Sequence, residues 1–339
     1  MIIATSRVIW IDIFKGIGIL LVVIGHILAE QKVYTPLYNI IYMFHMPLFF
    51  FISGYLYKQN NNIGTHIKDK AIQLLIPYFF ILLLFIPVNG LGAFINDGLN
   101  TKSMINYLMH LLSGGRNFGG ATGAFWFITC LFCVQIIYNI ISVKCKSSIV
   151  NIIIILMLIL SYINSEIYPQ YWLPGDANVA LFALSIYHLG YLYRKYEEKI
   201  NIHPLILTVL SLLVIVSVIL EPSNRMDMKN SMYGIPVLSL LSSLIMILFT
   251  KLISQKIASI AVLSTILLET GKASLAIMYF HLLFIAIFNK FITDNMYLVT
   301  PLVVIISYGI YYLANRSRIS RVLILGSKTD YYSIIKKTT

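Results

Sequence analysis

The sequence predicts an all-α, polytopic membrane protein of about ten transmembrane helices with both termini on the cytoplasmic side. Three observations carry that expectation. The chain is 59% hydrophobic with a mean hydropathy of +0.84 and 11% charged residues, too apolar for a water-soluble domain of 339 residues. Apolar runs of about 17 to 21 residues, long enough to cross a bilayer, recur along it. With both ends inside, 18 of the 25 Lys and Arg residues fall on inward segments and 6 on outward ones, leaving Lys15 inside the first run.

The windows place spans at 9–29, 38–57, 71–89, 124–143, 148–164, 177–194, 204–220, 234–253, 274–292 and 298–314. Ile257 to Leu268 is apolar but short, and reads as an interfacial or re-entrant piece leading into Gly271. No A-x-A cleavage pattern follows the first span, which is expected to stay in the mature protein. The organisation expected is one transmembrane domain over residues 1–315 and a short basic cytoplasmic tail over 316–339. The net charge of +12 is accounted for by topology and contact with anionic lipid headgroups, and nothing in it calls for nucleic acid. Cys130 and Cys133 sit three residues apart in an apolar helix and read as packed hydrophobes; no metal site is expected.

The first span carries the chemistry. Ionisable residues inside a membrane helix are costly and mark chemistry or transport. Lys15 and His26, eleven residues apart, share one face about 16 Å apart along the axis. Asp12 lies one turn below Lys15 and can pair with it, while Gly18 and Gly25 flank the stripe and admit a close neighbour. The alternative is a snorkelling Lys15 paired with Asp12 and a His26 in the headgroup region. The second span re-enters from outside and carries His45 about 10 Å deep, so two imidazoles can face one cavity. Pro47 frees the carbonyl of Met43 nearby. A packing histidine is the alternative for His45.

Between the third and fourth spans, a glycine-rich turn from Ser113 to Gly120 contains Arg116; lacking a Gly-Lys-Ser/Thr ending, it is not a phosphate loop, and a flexible substrate-facing loop is left open. Tyr168, Tyr171 and Trp172 suit either sugar stacking or an interfacial aromatic belt.

The run from Trp10 to His26 resembles the first helix of the acyltransferase 3 family of integral membrane proteins. Four further blocks agree in order: Phe44 to Leu56, Lys70 through Leu74 to Tyr78, Phe125 to Ile128, and Gly271 to His281. The second block is most similar to the branch around fucose 4-O-acetylase and the stand-alone O-acetyltransferases of capsules and O antigens. The resemblance implies a membrane O-acyltransferase in a bacterial inner or plasma membrane. It would move acetyl from acetyl-CoA to a hydroxyl of a cell-surface polysaccharide or its lipid-linked precursor, among glycan-assembly machinery and membrane lipid. The family's Arg, ten intervening residues and His read here as Lys15 and His26, so lysine keeps the charge without the planar fork. Its paired arginines before the third helix read as Lys70 and Gln73.

A neutral imidazole, with a pKa of about 6.5, can take a sugar hydroxyl's proton as it attacks a thioester. His26 is therefore the expected base, with His45 orienting it, holding the acceptor or relaying acetyl. Lys15 completes the catalytic stripe. Asp12, Lys70, Arg116, Trp126 and His281 are the expected substrate-binding residues. The alternative function is a polysaccharide exporter or carrier of the same fold, since buried His and Lys also suit proton-coupled transport.

Overall fold

The first helix, α1 (Ile9–Glu30), ends where Lys32 turns into the left-handed region and the Val33 N–H reaches back to the Leu28 carbonyl at 2.8 Å. Three residues on, Thr35 caps α2 (Pro36–Tyr55): its side-chain oxygen accepts from the Tyr38 N–H at 3.5 Å, and Pro36 takes the first helical position. So short a turn makes α1 and α2 antiparallel neighbours. These coordinates are a computed structural model, which describes residues 9–85, 115 and 118–338.

Helix α3 starts as Ile63–Lys70, passes through a π-helical turn at Ala71–Leu75 and stays helical to residue 85. There follow α4 (Trp126–Lys144), α5 (Ser147–Ile167), α6 (Ala177–Tyr196), α7 (Pro204–Leu220), α8 (Leu238–Ile257), α9 (Ala261–Lys272), α10 (Ser274–Phe291), α11 (Met296–Ala314), α12 (Arg318–Leu325) and α13 (Lys328–Thr338). The protein is all-helical and polytopic, as its composition predicts. Seven described helices are long and apolar enough to cross a membrane: α1, α2, α4 with its lead-in from Gly120, α5, α8, α10 and α11. The other expected spans fall on α3, α6 and α7. Helix α7 has 17 residues. Helix α6 carries buried Asn178, Ser185 and His188, which lower its hydropathy because they face protein. His188 is fully engaged there, its ring nitrogens 2.8 Å from the Tyr138 hydroxyl and 3.0 Å from Asn151 Oδ1.

Helix α1 is the hub of the bundle, touching α2, α8, α9, α10 and α11. The segment expected as an interfacial piece is α9, which lies along α1 with their backbones in contact. A β-carbon on Gly16 would sit 2.1 Å from the Leu267 carbonyl oxygen, and one on Gly271 would sit 1.8 Å from that of Asp12. Gly18 and Gly25, as their positions suggest, admit side chains of α2: Leu48 and Phe49 at one, Ile41 and Tyr42 at the other.

Residues 318–338 form a helical hairpin docked on α3. Arg321 grips Asp330 with two hydrogen bonds of 2.7 and 2.9 Å, an arrangement that holds the Asp330 carboxyl well below the usual carboxylate range. Gly326, in the left-handed region, packs against the Gln73 carbonyl. Lys328 and the Tyr332 hydroxyl donate to Asp69 at 2.8 and 2.9 Å. Burial works against the charged form of Asp69, yet these two hydrogen bonds hold its carboxyl below its ordinary value.

The charge bias predicts that, in a background without the native cysteines, single cysteines at Gln31 and Tyr171 label from outside intact cells, and those at Gln59 and Ser333 only after permeabilisation. Outside labelling at Ser333 would break the even-span arrangement. Gly271→Leu should push α9 off α1 and cost about 1–3 kcal/mol, read as lost thermal stability in detergent; an unchanged midpoint would mean the crossing is looser than described.

Candidate active site

The Lys15 ammonium is 2.9 Å from Asp12 Oδ1, the carboxylate almost wholly buried and the lysine partly exposed. Above this pair the same face of α1 continues through Ile19, Val22 and His26, and those three line an apolar cavity of about 90 Å³ with Phe49, Phe127 and Met278. His26 also lines a second, polar cavity of about 230 Å³, bordered by Glu30, Tyr42, His45, Asp227, Lys229 and Asn230. Three residues, His26, Met46 and Trp126, belong to both walls. The imidazole therefore stands where an apolar compartment meets a polar one.

Two other histidines converge on it. The His26 ring centre is 5.0 Å from that of His281 on α10 and 6.5 Å from that of His45 on α2. Behind His45 an aromatic column leads outward, Tyr42 at 4.8 Å and Tyr38 a further 4.1 Å away. Both flanking histidines are oriented by their own helices. His45 Nδ1 lies 2.8 Å from the Ile41 carbonyl, and His281 Nδ1 lies 2.9 Å from the carbonyls of both Ile277 and Met278. A carbonyl only accepts, so each Nδ1 carries the proton and each neutral Nε2 presents a lone pair. His281 Nε2 is buried without a hydrogen-bond partner among the described residues. His26 makes no hydrogen bond among them through either nitrogen, which leaves it open to substrate.

The expected site residues divide. Asp12, Lys15, His26, His45 and Trp126 share the α1 face or the His26 cavities, and His281 lines neither cavity but stands against the His26 ring. Lys70 lines neither cavity; it is half-buried at the π turn beside Lys328, and burial lowers its ammonium pKa. Arg116 lies outside the described residues. The described end of the glycine-rich turn reaches the polar cavity, where Gly119, Gly120 and Gly123 form part of the wall. Tyr168 and Tyr171 are exposed and line neither cavity. No group of three or more His, Cys, Asp and Glu among the described residues is arranged to hold a metal ion.

Sequence reasoning passed over Glu30, Tyr42, Asp227, Lys229 and Asn230. Glu30 was accessible in principle, because it follows His26 at i+4 on the same helix face. Asp227, Lys229 and Asn230 sit in a short loop between α7 and α8 that has no periodicity to read. That loop is rigid: Asp227 and Met232 exchange backbone hydrogen bonds of 2.8 and 3.0 Å across a bridge, and the Asn230 side chain donates to Asp227 Oδ2 at 2.8 Å.

An acyltransferase-domain family model matches residues 8–315, and the chain belongs to that family, the acyltransferase 3 proteins. Among curated relatives, Nodulation protein NolL of Sinorhizobium fredii (strain NBRC 101917 / NGR234) is 36% identical over 159 residues, or 43% of this chain and 42% of the relative. Nodulation protein NolL of Mesorhizobium japonicum (strain LMG 29417 / CECT 9101 / MAFF 303099) is 32% identical over 142 residues, or 39% of this chain and 35% of the relative. The matched stretch spans less than half the length of these relatives. No solved structure matches the chain.

The hydrogen-bond geometry predicts that histidine-selective nitrogen NMR finds both His45 and His281 as Nδ1–H tautomers at neutral pH. An Nε2–H tautomer at either would mean the backbone carbonyls do not hold the ring.

Proposed function

We propose that the protein is a membrane O-acetyltransferase that moves acetyl from acetyl-CoA to a hydroxyl of a cell-surface polysaccharide or its lipid-linked precursor, in a bacterial inner or plasma membrane. The observation that carries this reading is the position of His26 at the junction of an apolar and a polar cavity. An acyl thioester suits the first. A hydroxyl-rich acceptor suits the second, where Glu30, Asp227 and Asn230 offer acceptors and donors and Trp126 an aromatic wall. Family membership agrees with acyl transfer.

In this reading CoA approaches from the cytoplasmic side, where Lys15 gives the stripe its cationic inner end. The acceptor oxygen attacks the thioester carbonyl carbon as His26 takes the hydroxyl proton. A carbon–oxygen bond forms, the carbon–sulfur bond breaks, and the leaving thiolate recovers the proton from the imidazolium. His45 and His281, whose ring centres stand 6.5 and 5.0 Å from that of His26, stabilise its imidazolium by accepting from it through Nε2, or orient the acceptor. Glycan-assembly enzymes are the expected source of the acceptor.

The test is NMR of the surface glycan in cells carrying the chain or its variants. His26→Ala should abolish O-acetyl signals while leaving protein level and polymer amount intact. Less polymer with unchanged acetylation per sugar would instead favour an exporter. Lys15→Arg should keep at least about a third of the activity. Lys15→Ala should lower it, with Asp12 losing its ammonium partner; equal activity in both would remove Lys15 from the mechanism.

A further inference from the structure

The attack described above places a negative charge on the former carbonyl oxygen, and an active site of this kind is most effective when a fixed donor meets that charge. Neither flanking histidine can do so while neutral, because each spends its one N–H on a backbone carbonyl. The Tyr42 hydroxyl is a neutral donor, as is the Asn230 amide, which already gives one hydrogen to Asp227. Trp126 offers only a neutral N–H. Among the described residues, Lys229 is the one cation in the wall of the cavity that His26 shares.

Resting on the acyl-transfer reading, we propose that Lys229 is a further catalytic residue, its ammonium donating to the oxyanion that forms on the thioester carbonyl during attack. Lys229 is well fixed for this. It stands in a 3-10 turn, Met228–Asn230, whose Asp227 side chain accepts from the Asn230 N–H, and Met228 is buried beneath it. Its Nζ donates to the Phe118 carbonyl at 2.5 Å, which spends one of three hydrogens and aims the remaining two elsewhere. Gly123 lies alongside: a β-carbon there would stand in ordinary contact with Nζ at 3.6 Å. Burial pushes the Lys229 ammonium below its usual range, so a negative charge arriving beside it is matched in a medium poorer than water at screening it. The same outer hairpin supplies Asp227 and Asn230 to the wall, so docking of acceptor and stabilisation of the transition state depend on one rigid element.

The experiment uses the purified full chain in liposomes, with acetyl-CoA as donor and a panel of methyl glycosides as acceptors. Lys229→Met should lower kcat about 10²–10³-fold, the loss seen when one oxyanion donor is removed. The KM of both substrates, and binding of a non-hydrolysable thioether analogue of acetyl-CoA, should change less than about threefold. Lys229→Arg should recover most of kcat, since it restores a charged donor. The proposal is overturned if Lys229→Met leaves kcat unchanged. It is equally overturned if the variant raises only the acceptor KM, which would make Lys229 a sugar-binding group, or if Arg and Met variants lose activity together with thermal stability. Failure of the underlying reading looks different: the unmodified chain then transfers nothing to any acceptor, or His26→Ala transfers normally.

Discussion

A carboxylate, an ammonium and an imidazole lie on one face of an apolar helix, and hydrocarbon cannot solvate any of them. Each ionised group left facing lipid at mid-membrane would cost about 2.5–3.5 kcal/mol or more. Helix α1 therefore has to be enclosed, and the bundle is arranged around it, with α2, α8, α9, α10 and α11 all against its sides. The enclosure is close only because glycines allow it. Gly16 and Gly271 bring α9 into backbone contact beside Asp12, and Gly18 and Gly25 seat α2 along the flank of the stripe. The Asp12–Lys15 pair follows from the same constraint, since each group supplies the partner that lipid does not.

The histidines obey that constraint in another way. His45 and His281 each give the Nδ1 proton to a carbonyl one turn earlier on the same helix, so no second element is needed to hold them. Helix position thereby sets the tautomer, and the two rings stand with their centres 6.5 and 5.0 Å from that of His26. That arrangement concentrates proton-accepting capacity at the boundary between an apolar cavity and a polar one. In the proposed reaction, the thioester and the hydroxyl compound, with opposite preferences for solvent, meet at this boundary.

Four ion pairs link Lys15 with Asp12, Lys272 with Glu269, Lys328 with Asp69 and Arg321 with Asp330. Lys328–Asp69 ties α13 to the start of α3, and Arg321–Asp330 closes the hairpin of α12 and α13 on itself. Exposed members of such pairs contribute little individually. Their combined effect is positional, fixing the hairpin of α12 and α13 against the start of a membrane helix.

What the sequence determined by itself was whatever depends on short-range periodicity. Long apolar runs predicted α1, α2, α5, α10 and α11, because crossing hydrocarbon forces each backbone to satisfy its own hydrogen bonds. The 3.6-residue repeat likewise put Asp12, Lys15 and His26 on one face before any packing was considered. The tight turn at Thr35 and Pro36 made the approach of His45 to His26 foreseeable. Helices that hide polar residues inside the bundle, such as α6 with Asn178 and His188, gave a weaker hydropathy signal, because composition does not distinguish a group facing water from one facing protein. Only the tertiary structure decided that His281, more than 250 residues away in sequence, brings its ring centre to 5.0 Å from that of His26. It also decided that a loop without any pattern delivers Asp227, Lys229 and Asn230 to a cavity that His26 lines. Those meetings depend on how helices cross, and crossing is settled by glycine contacts and side-chain packing between distant segments, which no local repeat encodes.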